Sequence, residues 1–590
     1  MPEGREGSHL ERMPRFNRVG GLHEALGPRL AEAWESRNWP KCGLLSMASH
    51  RELALGVAAG LGIGVAATLV ISRLLRPSDK GEKVVVGKEG YMWCRPELVP
   101  RSIIEPKTPK HPSKVEEQAT AAIKETTTPS ASAEENSESS SHLAANHLSA
   151  WLDDPAKHTV WPPAQSTRKI PNPMGTLYPG MNFLKANEKI IGHIILNDSK
   201  ASSRSSALRD GCIRANSTEY IWWSPNKVKA AMVTCGGLCP GLNSIIRGIT
   251  NCLWQEYEVH DITGITAGYN GLSDPENYES IPLNPSFVRE IHMKGGSILK
   301  AGRGGFDAPK IIANLRRLGI NLLFVIGGDG TQFAGHLLYE EARKQRYEVS
   351  VVGVPKSIDN DVLFVDRTFG FDSAVEAAAQ VIQNSYVEAT SCAKGVGIVK
   401  LMGRDAGFVA ANAALASNIV DLVLVPEVKI ARLQDIFDYV DETLARKGHM
   451  VIVVGEGAMQ DYVSTGKKDA TGHTIYGDSG VFMRDTLNEY LKPKGGRTFY
   501  IDPSYIIRSV PVTPNDHIYC SRLANNAVHT AMRGYTGVCV GAIHNVVVIL
   551  KSRLIASGKK QIKVKSSTWQ TCVQLCRMPA NLTGIKQESK

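Results

Sequence analysis

The sequence predicts an α/β fold with mainly parallel, doubly wound sheets. Two observations support this: short runs of consecutive apolar residues alternate with helical patterns, and each run ends in a glycine-rich or polar turn. The runs are "AAMV", "LLFVIGG", "VSVVGV", "GVGIV", "LVLV" and "MVIVVG". Uninterrupted apolar strands between helices are typical of parallel sheets that helices cover on both faces. Such folds bind ligands just beyond the carboxyl ends of their strands.

The first part of the chain lacks this pattern. Residues 1–52 are predicted to be an N-terminal extension, and residues 53–72 contain no charged residue over twenty positions. Twenty helical residues span about 30 Å, the thickness of a bilayer core. We therefore expect residues 53–75 to be one transmembrane helix or part of a targeting segment, although their glycine and alanine content also fits a buried helix. Residues 76–184 include a long stretch rich in Pro, Ser, Thr, Glu and Lys, and are expected to be a largely disordered linker.

Size and composition exclude several classes of function. With 590 residues the chain can form two or more domains. Its net charge of +10 is small for this length and is not concentrated in a Lys/Arg tract, so no nucleic-acid partner is expected. The 11 cysteines form no repeated CxxC pattern, which favours reduced thiols in an intracellular protein over disulfides or a zinc site.

Three glycine-rich loops are suited to bind phosphate. "TCGGLCPG" (234–241) and "GGDG" (327–330) each lie between a strand and a helix, where backbone N–H groups and the helix N-terminus favour phosphate oxygens. Asp329 would repel phosphates without an intervening cation, so it is predicted to bind Mg²⁺. A plain strand-to-helix turn is the alternative. Arg303 in "AGRGG" is expected to bind phosphate rather than to be a solvated charge.

Two carboxylates follow the next apolar run, in "VVGVPKSIDND" (351–361). Asp359 is placed to accept a proton from an attacking hydroxyl, and Asp361 to orient that group or to hold the metal through water. The alternative is an Asx-turn in which Asp361 caps the segment that follows.

Three charged residues further along fit a phosphorylated acceptor. Arg404 in "KLMGRDAG" and Arg508 in "YIDPSYIIRSV" each follow an apolar run, and two fixed guanidiniums suit a dianionic phosphate. Glu456 in "VVGEGA" is a carboxylate at a strand end, of the kind that binds sugar hydroxyls. Taken separately, each residue is also compatible with a structural ion pair.

Eight motifs, taken in order, closely resemble the phosphofructokinase family, in particular its plant-type ATP-dependent 6-phosphofructokinases. They are "TCGGLCPGLN", "GGDGT", "PKSIDND", "FGFDSA", "KLMGRDAGF", "VPEV", "GEGA" and "YIDPSYIIR", and the resemblance covers about residues 185 to 560. It implies two Rossmann-like lobes and transfer of the γ-phosphate of MgATP to the 1-hydroxyl of fructose 6-phosphate, in glycolysis. It also implies a nucleotide-binding lobe at 185–370, completed by about 507–560, a sugar-phosphate-binding lobe at 371–506 and a C-terminal tail at 561–590.

By position, the resemblance implies roles for individual residues. Asp359 matches the catalytic base and Asp329 the magnesium ligand. The implied nucleotide contacts are Gly236, Arg303, Gly304, Gly328, Asp329, Gly330 and Thr331. The implied substrate contacts are Ser357, Ile358, Asp359, Met402, Gly403, Arg404, Glu456, Tyr505, Ile506, Ile507 and Arg508.

Gly330 and Lys356 bear on the phosphoryl donor. Pyrophosphate-dependent relatives carry an aspartate at the position of Gly330, where the side chain would obstruct and repel the α-phosphate of a nucleotide. Lys356 is typical of pyrophosphate users, but the plant-type ATP enzymes combine this lysine with the glycine. We therefore expect ATP as the donor, with a pyrophosphate-dependent enzyme as the alternative.

Several positions depart from the family pattern. Ser357 replaces a threonine and keeps the hydroxyl. Phe499 stands where a basic residue commonly meets the sugar phosphate, and Arg497 is the candidate substitute. Lys394 is the candidate for an arginine that bacterial relatives borrow from a neighbouring subunit, at the position of Gly395. Four further departures lie near the expected nucleotide: Lys300, Gly302, Phe333 and Ala334. A catalytically weakened regulatory or scaffolding paralogue is therefore a second alternative.

The resemblance also bears on assembly and location. It implies a homo-oligomer, often a tetramer, in which neighbouring subunits complete the sugar-phosphate site. Residues 53–72 would either anchor a cytoplasmic catalytic body at a membrane or direct it to a plastid or another organelle.

Overall fold

The computed structural model describes residues 169–185, 188–191, 211–464, 466 and 476–585. The predicted N-terminal extension, the apolar segment at 53–72 and most of the predicted linker lie outside these residues. Within the described ranges, no helix combines the length and the apolar character that crossing a membrane requires.

Fifteen strands occur in the described residues. They are β1 (Ile170–Pro171), β2 (Lys189–Ile191), β3 (Gly211–Arg214), β4 (Tyr220–Ile221), β5 (Lys229–Thr234), β6 (Asp261–Ile265), β7 (Ile281–Pro282), β8 (Leu322–Gly327), β9 (Ser350–Pro355), β10 (Gly395–Leu401), β11 (Leu422–Leu424), β12 (His449–Gly455), β13 (Arg497–Ile501), β14 (Val538–Ile543) and β15 (Val546–Lys551).

The α-helices are numbered in chain order. They are α1 (Met174–Leu177), α2 (Leu242–Asn251), α3 (Tyr269–Ser273), α4 (Ala308–Leu318), α5 (Asp329–Lys344), α6 (Phe371–Thr390), α7 (Phe408–Ser417), α8 (Leu433–Lys447), α9 (Gln460–Val463), α10 (Ser479–Leu491), α11 (Ser504–Ile507), α12 (Pro514–Met532), α13 (Ser552–Ile555) and α14 (Ser567–Cys576).

The larger lobe contains a nine-stranded sheet in the order β2-β3-β15-β14-β9-β8-β5-β6-β7. Its central strands, from β14 to β6, pair in parallel. The outer pairs of this sheet are antiparallel. The register between β8 and β9 runs from Leu322↔Ser350 to Gly327↔Pro355, so both strands end at the same edge of the sheet.

The smaller lobe contains a four-stranded sheet in the order β11-β12-β10-β13, in which every pair is parallel. The register between β10 and β12 ends at Leu401↔Gly455. The next residues, Met402 and Glu456, therefore leave the sheet side by side. Strands β1 and β4 form a separate antiparallel pair.

Helices cover both faces of the central strands of the larger sheet, which explains their continuous apolar runs. All residues of β8 and β9 are buried. One face packs against α2 and α12, and the other packs against α4 and α5. A parallel strand covered on both faces has no solvent side that would favour polar residues. The predicted α/β fold with mainly parallel, doubly wound sheets is confirmed.

The folded body extends beyond the expected boundaries at both ends. Residues 169–184, expected in the linker, carry β1 and α1, and Met174 is buried in the core of the larger lobe. Residues 561–585, expected to be a tail, carry α14, whose Trp569 is buried in the core of the smaller lobe. The boundaries at 184 and 561 are therefore corrected, because apolar side chains in both segments have a core to pack against.

Candidate active site

The loops that carry the predicted phosphate-binding residues lie side by side at one edge of the larger sheet. They follow the carboxyl ends of β5, β8 and β9. The backbone N–H of Gly236 donates to the carbonyl of Gly302 at 2.9 Å, and that of Lys356 donates to the carbonyl of Gly327 at 2.9 Å. The first bond joins the 234–241 turn to the loop of Arg303, and the second joins the 327–330 turn to the loop that carries Asp359.

Glycine is needed at several positions in these loops. Gly236 and Gly304 have φ angles of +85° and +75°, which other residues rarely adopt. A Cβ on Gly302 would lie 2.2 Å from the carbonyl oxygen of Ala267, so the departure to glycine at this position permits a close backbone approach. A Cβ on Gly330 would meet nothing within 4 Å, which leaves open space beside the N-terminus of α5.

Two cationic side chains border this space. Lys356 is 8% exposed, and its Nζ would lie 3.8 Å from a Cβ on Gly236, so the ammonium faces the first glycine-rich turn. The side chain of Arg303 is exposed beside Gly304. The departure at Ala334 does not reach the loops, because Ala334 packs in the core between α5 and the sheet. Thr331 accepts a hydrogen bond at its carbonyl from the Tyr269 hydroxyl at 2.8 Å.

Asp329 and Asp361 converge on one ammonium, which the sequence analysis did not identify. Lys559 Nζ donates to Asp361 Oδ2 at 2.6 Å and forms an ion pair with Asp329 Oδ2. Burial raises the pKa of Asp329, and Lys559 opposes that rise. Burial also acts to lower the pKa of Lys559, but the carboxylates of Asp329 and Asp361 outweigh it and raise that pKa above its ordinary value.

This arrangement fits a magnesium ion. Two carboxylates that reach one ammonium are also within reach of one divalent cation. In the described part of the chain no group of three or more His, Cys, Asp or Glu side chains could hold a metal. Mg²⁺ in kinases is commonly held by one or two carboxylates together with substrate phosphates, so Asp329 and Asp361 are a sufficient protein contribution.

Asp359 lies where the two lobes meet. Its neighbour Ile358 packs against the cores of both lobes. Asp359 Oδ1 is buried and has no hydrogen-bond partner among the described residues. Burial, with repulsion from the carboxylates of Asp361 and Glu456, raises the pKa of Asp359 to about 7. A carboxylate with this pKa can take a proton near neutral pH.

Ser357 organises the backbone around Asp359. Its hydroxyl donates to Asp361 Oδ1 and accepts from the backbone N–H of Asp359 at 3.3 Å. The carbonyl of Ser357 accepts a hydrogen bond from Thr368 Oγ1 at 2.5 Å. The contact between Ser357 and Asp361 agrees in part with the alternative of a structural Asx-turn, but Asp361 also binds Lys559.

The end of the smaller sheet contributes a second charged group to the site. Arg404 Nε lies 3.7 Å from Glu456 Oε1, and the Arg404 guanidinium lies 4.9 Å from the centre of the Tyr476 ring. The Tyr476 hydroxyl donates to Asp405 Oδ1 at 2.9 Å. Gly403 has a φ of +123°, and its carbonyl accepts from the backbone N–H of Gly457 at 3.0 Å. These contacts hold Arg404 and Glu456 in adjacent positions.

Arg508 faces the first glycine-rich turn. Its Nη1 would lie 3.9 Å from a Cβ on Gly237, and its guanidinium lies 4.6 Å from the centre of the Tyr505 ring. Tyr505 and Ile506 are 82% and 68% exposed. Two of the predicted substrate contacts have side chains packed in the core of the smaller lobe: Met402 and Ile507. Only the backbones of these two residues are available to a ligand.

Two of the candidate cations, Arg497 and Lys394, lie away from the site of their own chain. Arg497 is the first residue of β13 and pairs with Gly395 at the start of β10, beside Lys394. Arg404 follows the opposite end of β10. Because the strands are parallel, Arg497 and Lys394 lie at the amino ends of the strands of the smaller sheet, and Arg404 lies at the carboxyl ends. Arg497 therefore does not replace, within the same chain, the basic residue missing at Phe499.

The sequence analysis missed four residues of the site: Lys559, Lys560, Asp405 and Tyr476. Asp405 directly follows Arg404 in the motif "KLMGRDAG", so its position alone was a sufficient signal. Lys560 donates to Asn360 Oδ1 at 3.2 Å and to the carbonyl of Val365 at 3.0 Å, in the loop that carries Asp359. Burial lowers the pKa of Lys560 to about 8. No local pattern marks the two lysines, because their partners lie about two hundred residues earlier.

Comparison with known proteins agrees with this geometry. Residues 229–531 match the family model described as phosphofructokinase. The chain is 40% identical over 409 residues to ATP-dependent 6-phosphofructokinase 5, chloroplastic, of Arabidopsis thaliana, covering 67% of this chain and 76% of that protein. It is 38% identical over 413 residues to ATP-dependent 6-phosphofructokinase of Borreliella burgdorferi, covering 68% of this chain and 92% of that protein.

A solved structure shares the fold. The pyrophosphate-dependent phosphofructokinase from Marinobacter aquaeolei superposes with a TM-score of 0.50 at 20% identity, over 59% of this chain and 91% of that chain. The family match extends over half of the chain and includes the loops that carry Asp329, Asp359 and Arg404. The chain therefore belongs to the phosphofructokinase family of phosphotransferases.

Proposed function

We propose that the protein is an ATP-dependent 6-phosphofructokinase. It transfers the γ-phosphate of MgATP to the 1-hydroxyl of fructose 6-phosphate and releases fructose 1,6-bisphosphate and ADP. The observation that carries the proposal is the position of Asp359. Its Oδ1 is buried and has no hydrogen-bond partner among the described residues, its carboxylate interacts with that of Glu456 from the smaller lobe, and its neighbour Ile358 packs against both lobes.

Asp359 acts as the general base. When the 1-hydroxyl attacks the γ-phosphorus, its proton passes to a carboxylate oxygen of Asp359. The pKa of about 7 leaves a substantial fraction of Asp359 ionised at neutral pH and makes it basic enough to accept that proton. In phosphoryl transfer the protein contributes mainly alignment and charge neutralisation, so the rigid loop around Ser357 supports the reaction by holding the base in place.

The larger lobe binds the nucleotide. Gly236, Gly304 and the start of α5 offer backbone N–H groups to phosphate oxygens, and Lys356 and Arg303 add positive charge. Asp329, with help from Asp361, would hold Mg²⁺. When bound, the metal neutralises phosphate charge as the transfer proceeds.

The smaller lobe binds the acceptor. We assign Arg404 and Arg508 to the 6-phosphate, as the family resemblance implies, because guanidiniums bind phosphate oxygens in a bidentate manner. Glu456 is adjacent to Arg404 and is available to accept hydrogen bonds from sugar hydroxyls. Ser357 contributes a hydroxyl near Asp359. Tyr505 and Ile506 are exposed at the rim, where they can contact the sugar phosphate.

The open space at Gly330 supports ATP as the donor. A side chain at this position would project towards the nucleotide rather than into the protein. An aspartate there would place a carboxylate beside the phosphates, which suits a shorter pyrophosphate better than a nucleotide. The absence of that side chain leaves room for the α-phosphate.

An aldolase-coupled assay tests the proposal. Purified protein is supplied with fructose 6-phosphate, Mg²⁺ and either ATP or pyrophosphate, and the D359N variant serves as the control. We expect turnover with ATP and almost none in the variant. Turnover with pyrophosphate alone would reverse the choice of donor, and no turnover with either donor would favour a catalytically weakened paralogue.

We further infer a homo-oligomer. Lys394 and Arg497 lie at the amino ends of the strands of the smaller sheet, away from Arg404. From there they can contribute to the sugar-phosphate site of a neighbouring copy, as the family resemblance implies. Sedimentation velocity of the wild type tests this inference. A monomer with full activity would contradict it.

Location is a separate proposal that concerns residues outside those described. One relative reported above is named chloroplastic, which supports a plastid or another organelle as the destination. A fluorescent fusion of residues 1–104, compared with a fusion that starts at Met47, tests whether this part of the chain anchors the protein at a membrane or directs it to an organelle.

A further inference from the structure

Lys559 reaches the site from a part of the chain that contains none of the family motifs identified in the sequence. It lies after α13, and the segment is tied to the loop of Asp359 by backbone contacts. Lys559 forms an isolated antiparallel bridge with Val362, and the backbone N–H of Lys560 donates to the carbonyl of Asp361 at 2.8 Å. The backbone of Lys559 is therefore fixed at the site.

The ammonium of Lys559 balances two buried carboxylates. The side chain of Asp361 is 4% exposed and that of Asp329 is 19% exposed, whereas the Lys559 side chain is 39% exposed. Two carboxylates in so little water require a cation, because a buried charge without a partner is strongly destabilising. In this structure Lys559 is that cation.

We propose that Lys559 is a positioning residue that holds Asp329 and Asp361 together as an internal cation and competes with the divalent cation for Asp329. The inference rests on the proposed function, since the metal belongs to the phosphoryl-transfer reaction. When the metal is absent, Lys559 holds the two carboxylates together. When the metal binds, the ammonium leaves Asp329 and keeps its contact with Asp361.

The properties of the three side chains support this exchange. Asp329 is the more exposed carboxylate and begins α5, next to the glycine-rich turn, so it is the one that a metal–nucleotide complex approaches. Asp361 is almost inaccessible and also binds Ser357, so its place is fixed. Lysine is a point charge on a flexible stem, which allows its ammonium to move without a change in the backbone.

The K559M variant tests the proposal without any substrate. It keeps the length of the apolar stem and removes the charge. Binding of Mn²⁺, a spectroscopic substitute for Mg²⁺, is measured from the electron paramagnetic resonance signal of the free ion, with no nucleotide present. Removal of a competing unit charge a few ångströms away is expected to tighten Mn²⁺ binding at least about tenfold. Unchanged or weaker binding would overturn the proposal.

Thermal unfolding gives a second readout that a purely structural lysine would not produce. In EDTA the K559M variant should unfold at a lower temperature than the wild type, and Mn²⁺ should restore much of the difference. Should K559M not fold in EDTA, its recovery on refolding with Mn²⁺ supports the proposal, and failure to fold in both conditions overturns it. A Tm in EDTA equal to that of the wild type also overturns it.

Two control variants complete the experiment. K563M removes an exposed lysine four residues along the same segment and should change neither the Tm in EDTA nor Mn²⁺ binding. K559R keeps the positive charge and should bind Mn²⁺ as weakly as the wild type does. Both measurements are made without turnover, so a protein that binds Mn²⁺ as expected but has no phosphofructokinase activity would refute the proposed function and leave this inference intact.

Discussion

Replacing Asp359 with asparagine is expected to remove most of the activity and to stabilise the fold. Burial, with repulsion from Asp361 and Glu456, raises the pKa of Asp359 from 3.8 to about 7. The folded state therefore disfavours the charged carboxylate. Asparagine has nearly the same shape and carries no charge, so D359N removes the unfavourable charge without leaving a cavity.

The magnitude follows from the size of the shift. Three pKa units correspond to about 4 kcal/mol of free energy between the two protonation states. Asp359 is not fully buried as a residue, so water screens part of this energy. We expect D359N to raise the free energy of unfolding by about 2–4 kcal/mol at pH 8.

The stability that D359N gains over the wild type should increase with pH. Below about pH 4, Asp359 is protonated in the folded state and largely protonated in the unfolded state, so the carboxylate has little effect on stability. Between about pH 4 and pH 7 it ionises only in the unfolded state. The wild type should therefore lose stability relative to D359N as the pH rises through this range, and the difference should level off above about pH 7.

Activity should show the opposite response to the substitution. A general base typically contributes about 10²–10⁴ to the rate, so kcat should fall by that factor in D359N. In the wild type, kcat/KM should fall about tenfold for each pH unit below about 7, as Asp359 becomes protonated.

Urea unfolding of both proteins from pH 5 to pH 8, together with the coupled assay over the same range, measures these effects. The D361N variant is a useful comparison. Asp361 is paired with Lys559, so D361N should lower the free energy of unfolding, whereas D359N should raise it. The reasoning is refuted if D359N is less stable than the wild type at pH 8, or if the difference does not grow between pH 5 and pH 8.

Three further substitutions test other parts of the site and the fold. G330D places a carboxylate in open space at the N-terminus of a helix, so Tm should be unchanged while kcat/KM for ATP falls at least about a hundredfold; an unaltered kcat/KM for ATP would contradict this. R508Q should raise the KM for fructose 6-phosphate about 10–100-fold in steady-state kinetics and raise the KM for ATP by a smaller factor, because a charge-assisted hydrogen bond contributes about 1.5–3 kcal/mol. D516A removes the acceptor of the backbone N–H groups of Gly370 and Ser373 and should cost about 2–4 kcal/mol in urea unfolding, whereas D485A at the surface should cost less than about 0.5 kcal/mol.

Several features of the fold and site follow directly from local sequence patterns. The apolar runs before residues 235, 328 and 356 predict parallel strands, and β5, β8 and β9 occur there. Since the carboxyl ends of adjacent parallel strands share one edge, the sequence also predicts that the glycine-rich turns and Asp359 lie close together. That placement needs only the order of the strands and the residue after each one.

Other features depend on contacts that no local pattern encodes. Residues 169–184 and 561–585 lie outside the stretch of about 185 to 560 that the family resemblance covers and were expected to be linker and tail, yet Met174 and Trp569 are buried. A short segment can join the folded body through a few buried apolar side chains when the rest of the lobe already offers an apolar surface. Met402 and Ile507 are a similar case. Only the packing of the smaller lobe shows that their side chains are buried, so that only their backbones can contact a substrate.

The sequence by itself determined the α/β class, the strand-end loops and the choice of Asp329, Asp359 and Arg404 as candidate site residues, because each of these is a property of neighbouring residues. Only the tertiary structure decided that Lys559 lies between Asp329 and Asp361 and that burial among carboxylates changes the pKa of Asp359. Lys559 and Asp361 are 198 residues apart in the chain. Charge interactions and exclusion of water depend on distance in space, and over such a separation along the chain only the folded structure sets that distance.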